Sequence, residues 1–148
     1  MRLVLQRVSR AVVRVGAREV ASIGPGLLIL VGVGRSEDEA EASWLAGKVA
    51  TLRIFEDAQG KMNRSVHDAG GEVLVVPQFT LYGDSGKGRR PSWAAAAGPD
   101  VARERVEAFA AALEAEGVPV RRGSFQERME VELVNDGPVT ILLDGARS

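Results

Sequence analysis

The sequence predicts a mixed α/β domain with more strand than helix. Runs rich in β-branched residues and leucine, alternating or continuously apolar, recur at 2–8, 10–15, 27–33 and 73–76. Only two segments, 36–52 and 100–116, space their apolar residues as a helix lying on a sheet does. The 148 residues show no internal repeat and no low-complexity linker, which suits a single domain over 1–148.

Taken in order, residues 2–8 and 10–15 set charge on alternate positions, as half-buried strands do. Gly16-Ala17-Arg18 turns the chain into a third strand, Glu19 to Ile23, and Gly24-Pro25-Gly26 marks a loop. Leu27 to Val33 is continuously apolar and reads as a buried central strand. Ser36-Glu37-Asp38-Glu39 is expected to open the first helix, with Ser36 capping free amides and Glu39 reaching back. Leu45, Val49 and Leu52 form its apolar stripe. Arg53-Ile54-Phe55 leads to a turn at Glu56 to Gly60. Val73 to Val76 is a second buried strand that runs into Pro77-Gln78-Phe79-Thr80-Leu81. Residues 83–92 form a long polar loop. In the second helix Val106, Phe109, Ala110 and Leu113 face the core, and Gly117 ends it. Two apolar runs, Met129 to Val134 and Val139 to Leu143, close the chain. Asp136-Gly137 between them is a strong hairpin signal, although Pro138 removes a donor and opens Gly137-Pro138 to a cis bond.

Composition narrows the chemistry. Hydrophobic content of 45% with 26% charged residues is ordinary for a globular protein. With no cysteine there is no disulfide, thiolate metal site or Cys nucleophile. The N-terminus reads as a strand interrupted by charge rather than a signal peptide, and no run could span a bilayer, so a cytoplasmic protein is expected. A formal net charge of −1 argues against a protein that coats nucleic acid. Local basic stretches remain at Lys87-Gly88-Arg89-Arg90 and at Arg121-Arg122 with Arg128 nearby.

Common catalytic constellations are missing. The single histidine, His67, has no evident partner, and a histidine-built metal site would need more ligands than the chain has. The glycine motifs at Gly32, Gly83 and Ser85 each fail the dinucleotide, phosphate-loop and nucleophile-elbow patterns in turn. Carboxylates at Glu37 to Glu41 and Glu104 to Glu107 read as solvated faces. Gln78, Phe79 and Thr80 stand where a buried strand meets a polar loop, a common setting for a site. Backbone amides there could hold a developing oxyanion, while Phe79 and Leu81 could equally be core. Thr80 as nucleophile would need a base that the sequence does not offer. Lys87, Arg89 and Arg90 read either as solvated charge or as an anion grip, with glycine beside arginine favouring the grip.

Pro77-Gln78-Phe79-Thr80-Leu81 together with Asn135-x-Gly137-Pro138-x-Thr140 resembles the D-aminoacyl-tRNA deacylases. The likeness runs nearly end to end, through Leu5-Gln6-Arg7-Val8, Gly26-Leu27-Leu28, Arg53-Ile54-Phe55, Gly60-Lys61-Met62-Asn63 and Arg90-Pro91-Ser92. The resemblance implies that family's fold, strand-rich sheets forming a barrel-like core with two main helices, in a cytoplasmic homodimer. It implies hydrolysis of the ester joining a D-amino acid to the 3′-terminal adenosine of tRNA, and of glycyl-tRNA as well, without metal or organic cofactor. Gly137-Pro138 would be cis, cross the dimer interface and block L side chains in the partner's site. The substrate's 2′-OH would take part in catalysis, with backbone amides near Phe79 positioning the carbonyl. Phe125 and Met129, core by residue type alone, align with the family's adenine pocket. Pro77 stands where the family usually has serine, as in a sister branch that clears L-alanine from tRNA. Phe79 and Asn135 place the chain with the D-specific branch. The alternatives are that sister activity and a non-catalytic module binding RNA ends through Lys87, Arg89 and Arg90.

Overall fold

The computed structural model describes residues 1–35 and 38–145. Its elements are β1 (Arg2–Val15), β2 (Arg18–Ile23), β3 (Gly26–Gly32), α1 (Ala40–Thr51), β4 (Phe55–Glu56) and β5 (Met62–Arg64). There follow β6 (Glu72–Pro77), a 3-10 turn (Phe79–Tyr82), α2 (Pro99–Ala115), β7 (Val120–Arg122) and β8 (Glu130–Asp144). The expected mixed, strand-rich fold with two helices is what forms.

The long β1 organises the sheet. Along one edge it pairs antiparallel first with β3, Arg2 to Val8, and then with β2, Ala11 to Val15. Along the other edge it pairs antiparallel with β8. From β3 the sheet continues in parallel through β6 to β7, and β2 curls back over β6 and β7, so the sheet nearly closes into a barrel. The two runs expected as separate strands at 2–8 and 10–15 are therefore one strand. The break expected between them survives only as a register shift around Ser9 in the pairing with β8.

Alternation along β3 and β6 divides two cores. Leu27, Ile29, Val73 and Val75 face α1 and α2, whose Leu45, Val49, Phe109, Ala110 and Leu113 cover them. Leu28, Leu74 and Val76 face the other way, into the barrel, with Val8, Ala11, Val13 and Ile23. Burial on both faces is why these strands read as unbroken apolar runs.

The helices differ in detail from expectation. The capping role read at Ser36 lies outside the described residues, and Glu39 makes no side-chain cap. Asp38 does the capping, its carboxylate accepting from the Ala40 amide at 3.0 Å. Leu52 follows α1 in an extended conformation, yet still packs against the core that Leu45 and Val49 join. Glu41 is not a solvated carboxylate: it is buried and accepts from the Met1 ammonium at 3.0 Å. Burial of that ammonium pulls its pKa down more than Glu41 raises it. α2 matches expectation, with Pro99 in its first turn and Gly117 beyond its end.

The largest correction concerns Asn135 to Thr140, which is not a hairpin turn. Met129 to Val134 and Val139 to Leu143 do not pair with each other; both pair with β1 as parts of the single strand β8. Val8 faces Asn135 and Gln6 faces Thr140, so residues 136–139 stand opposite Arg7 alone. Asp-Gly and Pro138 do interrupt the regular ladder here, but without reversing the chain. A partner strand long enough to engage both runs converted the expected reversal into a wide bulge.

Candidate active site

Where β6 ends, the chain leaves the sheet at Pro77 and winds into the 3-10 turn. The Gln78 amide is still tied to the sheet, donating to the Val31 carbonyl at 2.8 Å. The amides of Phe79 and Thr80 open the turn and so have no carbonyl of the turn to donate to. Phe79 is not core: it is 56% exposed and meets Trp93 edge to face, with ring centroids 5.3 Å apart. Gly83 makes this contact possible, since a Cβ there would lie 2.5 Å from the Trp93 ring. The Gln78 side-chain amide donates to the Thr80 hydroxyl. Among the described residues no acid or base hydrogen-bonds to that hydroxyl, so the geometry offers a positioned turn rather than a nucleophile.

This turn forms one end of a cavity of about 760 Å³, which Pro77, Gln78, Phe79, Phe125 and Met129 line together. Five of the residues singled out from sequence thus meet in one place. Val31, Val76 and Trp93 supply further apolar wall. Phe125 is backed by Arg103, whose guanidinium carbon sits 4.5 Å from the ring centroid. The Met129 sulfur accepts from the Ser124 amide at 3.3 Å, which fixes the thioether against the loop 123–128. Tyr82, at the far end of the 3-10 turn, has its phenol pushed up to about 12, chiefly by burial and then by the Asp144 charge. It is therefore protonated at neutral pH and cannot serve as a phenolate base. His67 is exposed and lies beside Gly117, away from the cavity. Among the described residues no group of three or more His, Cys, Asp or Glu side chains is placed to hold a metal ion.

The second motif lies outside this cavity. Gly137-Pro138 is a cis peptide on the surface of the β8 bulge, and neither residue lines the cavity of its own chain. Asn135 closes the bulge: its carbonyl oxygen accepts from the Val139 amide at 2.8 Å, and its amide donates to the Thr140 hydroxyl at 3.0 Å. That pair of bonds explains why Asn and Thr flank Gly-Pro at this spacing. From below, Arg7 holds the bulge. Its side chain is buried, Nε donates to the Asp136 carbonyl at 3.0 Å, and Nη1 donates to the Ile54 carbonyl at 2.8 Å. From sequence Arg7 reads as a strand residue within the Leu5-Gln6-Arg7-Val8 stretch, with no sign of this role. Its position opposite the bulge becomes visible once register is known.

Lys87, Arg89 and Arg90 are exposed on the loop 83–92, whose base is pinched by paired backbone bonds between Asp84 and Ser92. None of the three lines the cavity. Among the described residues no helix is long and apolar enough to cross a membrane.

Comparison with known proteins identifies the family and the fold. A family model described as D-Tyr-tRNA(Tyr) deacylase matches residues 4–144. The chain is 59% identical over 145 residues to a protein of Heliobacterium modesticaldum named D-aminoacyl-tRNA deacylase, covering 98% of this chain and 97% of that one. It is 61% identical over 146 residues to a protein of the same name from Thermomicrobium roseum, covering 99% and 95%. Among solved structures it resembles the c-Myc DNA Unwinding Element Binding Protein, with a TM-score of 0.90 and 36% identity over 97% of this chain and 98% of that one. A probable eukaryotic D-amino acid tRNA deacylase shares the fold, with a TM-score of 0.81 at 20% identity over 96% and 97% of the two chains. With a matching fold, both motifs in place and full-length relatives at this identity, the chain belongs to the D-aminoacyl-tRNA deacylase family of hydrolases.

Proposed function

We propose that the protein is a cytoplasmic homodimer that hydrolyses D-aminoacyl-tRNA, and glycyl-tRNA, to free tRNA and amino acid. The observation that carries this reading is the cavity itself. It joins Phe79 to the Phe125–Met129 wall, and among the described residues its lining holds no thiol, histidine or activated nucleophile. In this reading the adenine lies against Phe125 and Met129, with the aminoacyl ester toward Phe79, because all three residues line the one cavity. Water adds to the ester carbonyl, the bond to the ribose oxygen breaks, and the water's proton ends on the ribose hydroxyl. The neighbouring 2′-OH of the substrate assists, and backbone amides around Phe79 hold the oxyanion, although Thr80 itself does not line the cavity. Pro77 contributes no hydroxyl to this scheme.

Selectivity falls to Gly137 and Pro138. Their place on the surface, away from their own chain's cavity, supports a role in a second subunit's site. There the backbone would stand where an L side chain projects and leave a D side chain or a hydrogen unopposed. Exclusion suits this task, because an apolar pocket discriminates poorly by attraction. Lys87, Arg89 and Arg90 would contact tRNA farther from the ester.

The test is a paired assay with D- and L-tyrosyl-tRNA. Cleavage of the D ester with the L ester left intact is expected; equal rates would overturn the chirality claim. Rapid release of alanine from L-alanyl-tRNA would instead select the sister activity. A second reading, a non-catalytic nucleic-acid-binding module, draws on the name of the structural relative at 36% identity. Tight, salt-sensitive tRNA binding without hydrolysis would select it.

A further inference from the structure

We propose that Arg128 is the contact for the phosphodiester that joins the terminal adenosine to the preceding nucleotide. This rests on the aminoacyl-tRNA reading of the same cavity.

Three charged side chains line that cavity: Arg35, Glu127 and Arg128. Glu127 is engaged by Arg18 at 3.4 Å, across the loop. Arg35 is tethered at the aminoacyl end, its Nε donating to the carbonyl of Ala94 beside Trp93. Arg128 is exposed and directly precedes Met129. It makes no ion pair or hydrogen bond with another described residue, although Glu127 is its neighbour.

The substrate's chemistry decides what an unengaged guanidinium does there. A terminal adenosine has three directions: its base, its aminoacyl ester and its 5′ phosphodiester. The base takes the Phe125–Met129 wall and the ester takes the Phe79 turn. The remaining group is an anion that must leave through the cavity's mouth. Arg128 stands at the base end of the cavity, and a guanidinium matches two phosphate oxygens with two parallel donors. A contact of this kind positions the strand without reading its sequence.

The experiment compares two substrates of the full-length enzyme: D-tyrosyl-tRNA and the D-tyrosyl ester of adenosine, which has no phosphate. Arg128→Gln should lower kcat/KM on the tRNA substrate by about tenfold at low salt, mainly through KM. It should also flatten the log–log salt dependence by about 0.7, the share of one phosphate on a single strand. On the adenosine ester its rate should equal that of the wild type. Arg128→Lys should recover part of the loss. Equal losses on both substrates would overturn the proposal, because Arg128 would then be shaping the pocket; so would no loss on either. If the wild type cleaves neither ester, the deacylase reading itself fails and the phosphate site falls with it.

Discussion

Arg7 shows how one side chain can set the shape of a site it does not line. Its guanidinium satisfies the Asp136 and Ile54 carbonyls from within the fold, while its ion pairs with Glu56 and Asp136 are long, at 3.8 and 3.9 Å, and reach exposed carboxylates. The hydrogen bonds therefore outweigh the charge pairing. Arg7→Met should cost roughly 1–3 kcal/mol in urea denaturation for the carbonyls left unsatisfied. It should also narrow the difference between D- and L-tyrosyl-tRNA cleavage, because the bulge loses its support. Gly137 is constrained at the same place. Its φ is +135°, and a Cβ would sit 2.8 Å from the Val139 side chain. Gly137→Ala should therefore destabilise by about 1–3 kcal/mol. Thr80→Ala is expected to keep substantial deacylase activity, since Gln78 and not a base holds the hydroxyl. Complete loss with intact folding would restore a threonine nucleophile.

The element that matters most is β8. Its two halves follow the strand period, and its bulge is held by the Asn135 side chain rather than by ladder bonds. Asn135→Ala should leave the Val139 amide without its acceptor at a cost of about 1–3 kcal/mol. Faster hydrogen exchange at Val139, with the β3 and β6 amides unchanged, would show that the loss is local. The upper half of β8 is tied to β1 by Glu132, which accepts from Arg14 and Arg10. Those bonds, Arg14's first, hold its carboxylate below the usual 4.5. A depressed carboxylate stabilises the fold above its unfolded pKa and loses that contribution as pH falls through the folded value. Glu132→Gln should thus differ from wild type in thermal stability at neutral pH and converge with it in acid. The sequence made both halves of β8 legible through their apolar runs. It could not show that one partner spans them, because register depends on a strand more than a hundred residues away.

For the whole molecule, the expected consequence is dimerisation. Leu142 is 75% exposed, and it pairs with Val4, which in turn pairs with Leu30. Alternation puts these three on the face that also carries Gln6 and Thr140, at the end of the sheet beside the bulge. Beyond β8 no further strand pairs among the described residues, and an exposed leucine on an open edge strand, next to the partly buried Val4 and Leu30, invites a second copy. Leu142→Arg should shift sedimentation from dimer toward monomer and reduce deacylation in parallel, if the site is completed across the interface. A monomeric wild type with full activity and selectivity would exclude the cross-subunit wall.

The sequence alone determined the fold class, both helices, the buried strands and the two motifs, because each rests on local periodicity or on residue types at close spacing. It also excluded thiol chemistry and a histidine-built metal site, since those residues are absent or too few. Only the tertiary structure decided that Phe79 is an exposed wall rather than core, and that Phe125 and Met129 share its cavity. It likewise placed Gly137-Pro138 on a bulge outside that cavity and found Arg7 beneath it. Each of these depends on which segments pack together and in what register. Hydrophobic type reports that a side chain will be covered, but not by what; for Phe79 the cover is one neighbouring ring and an open cavity.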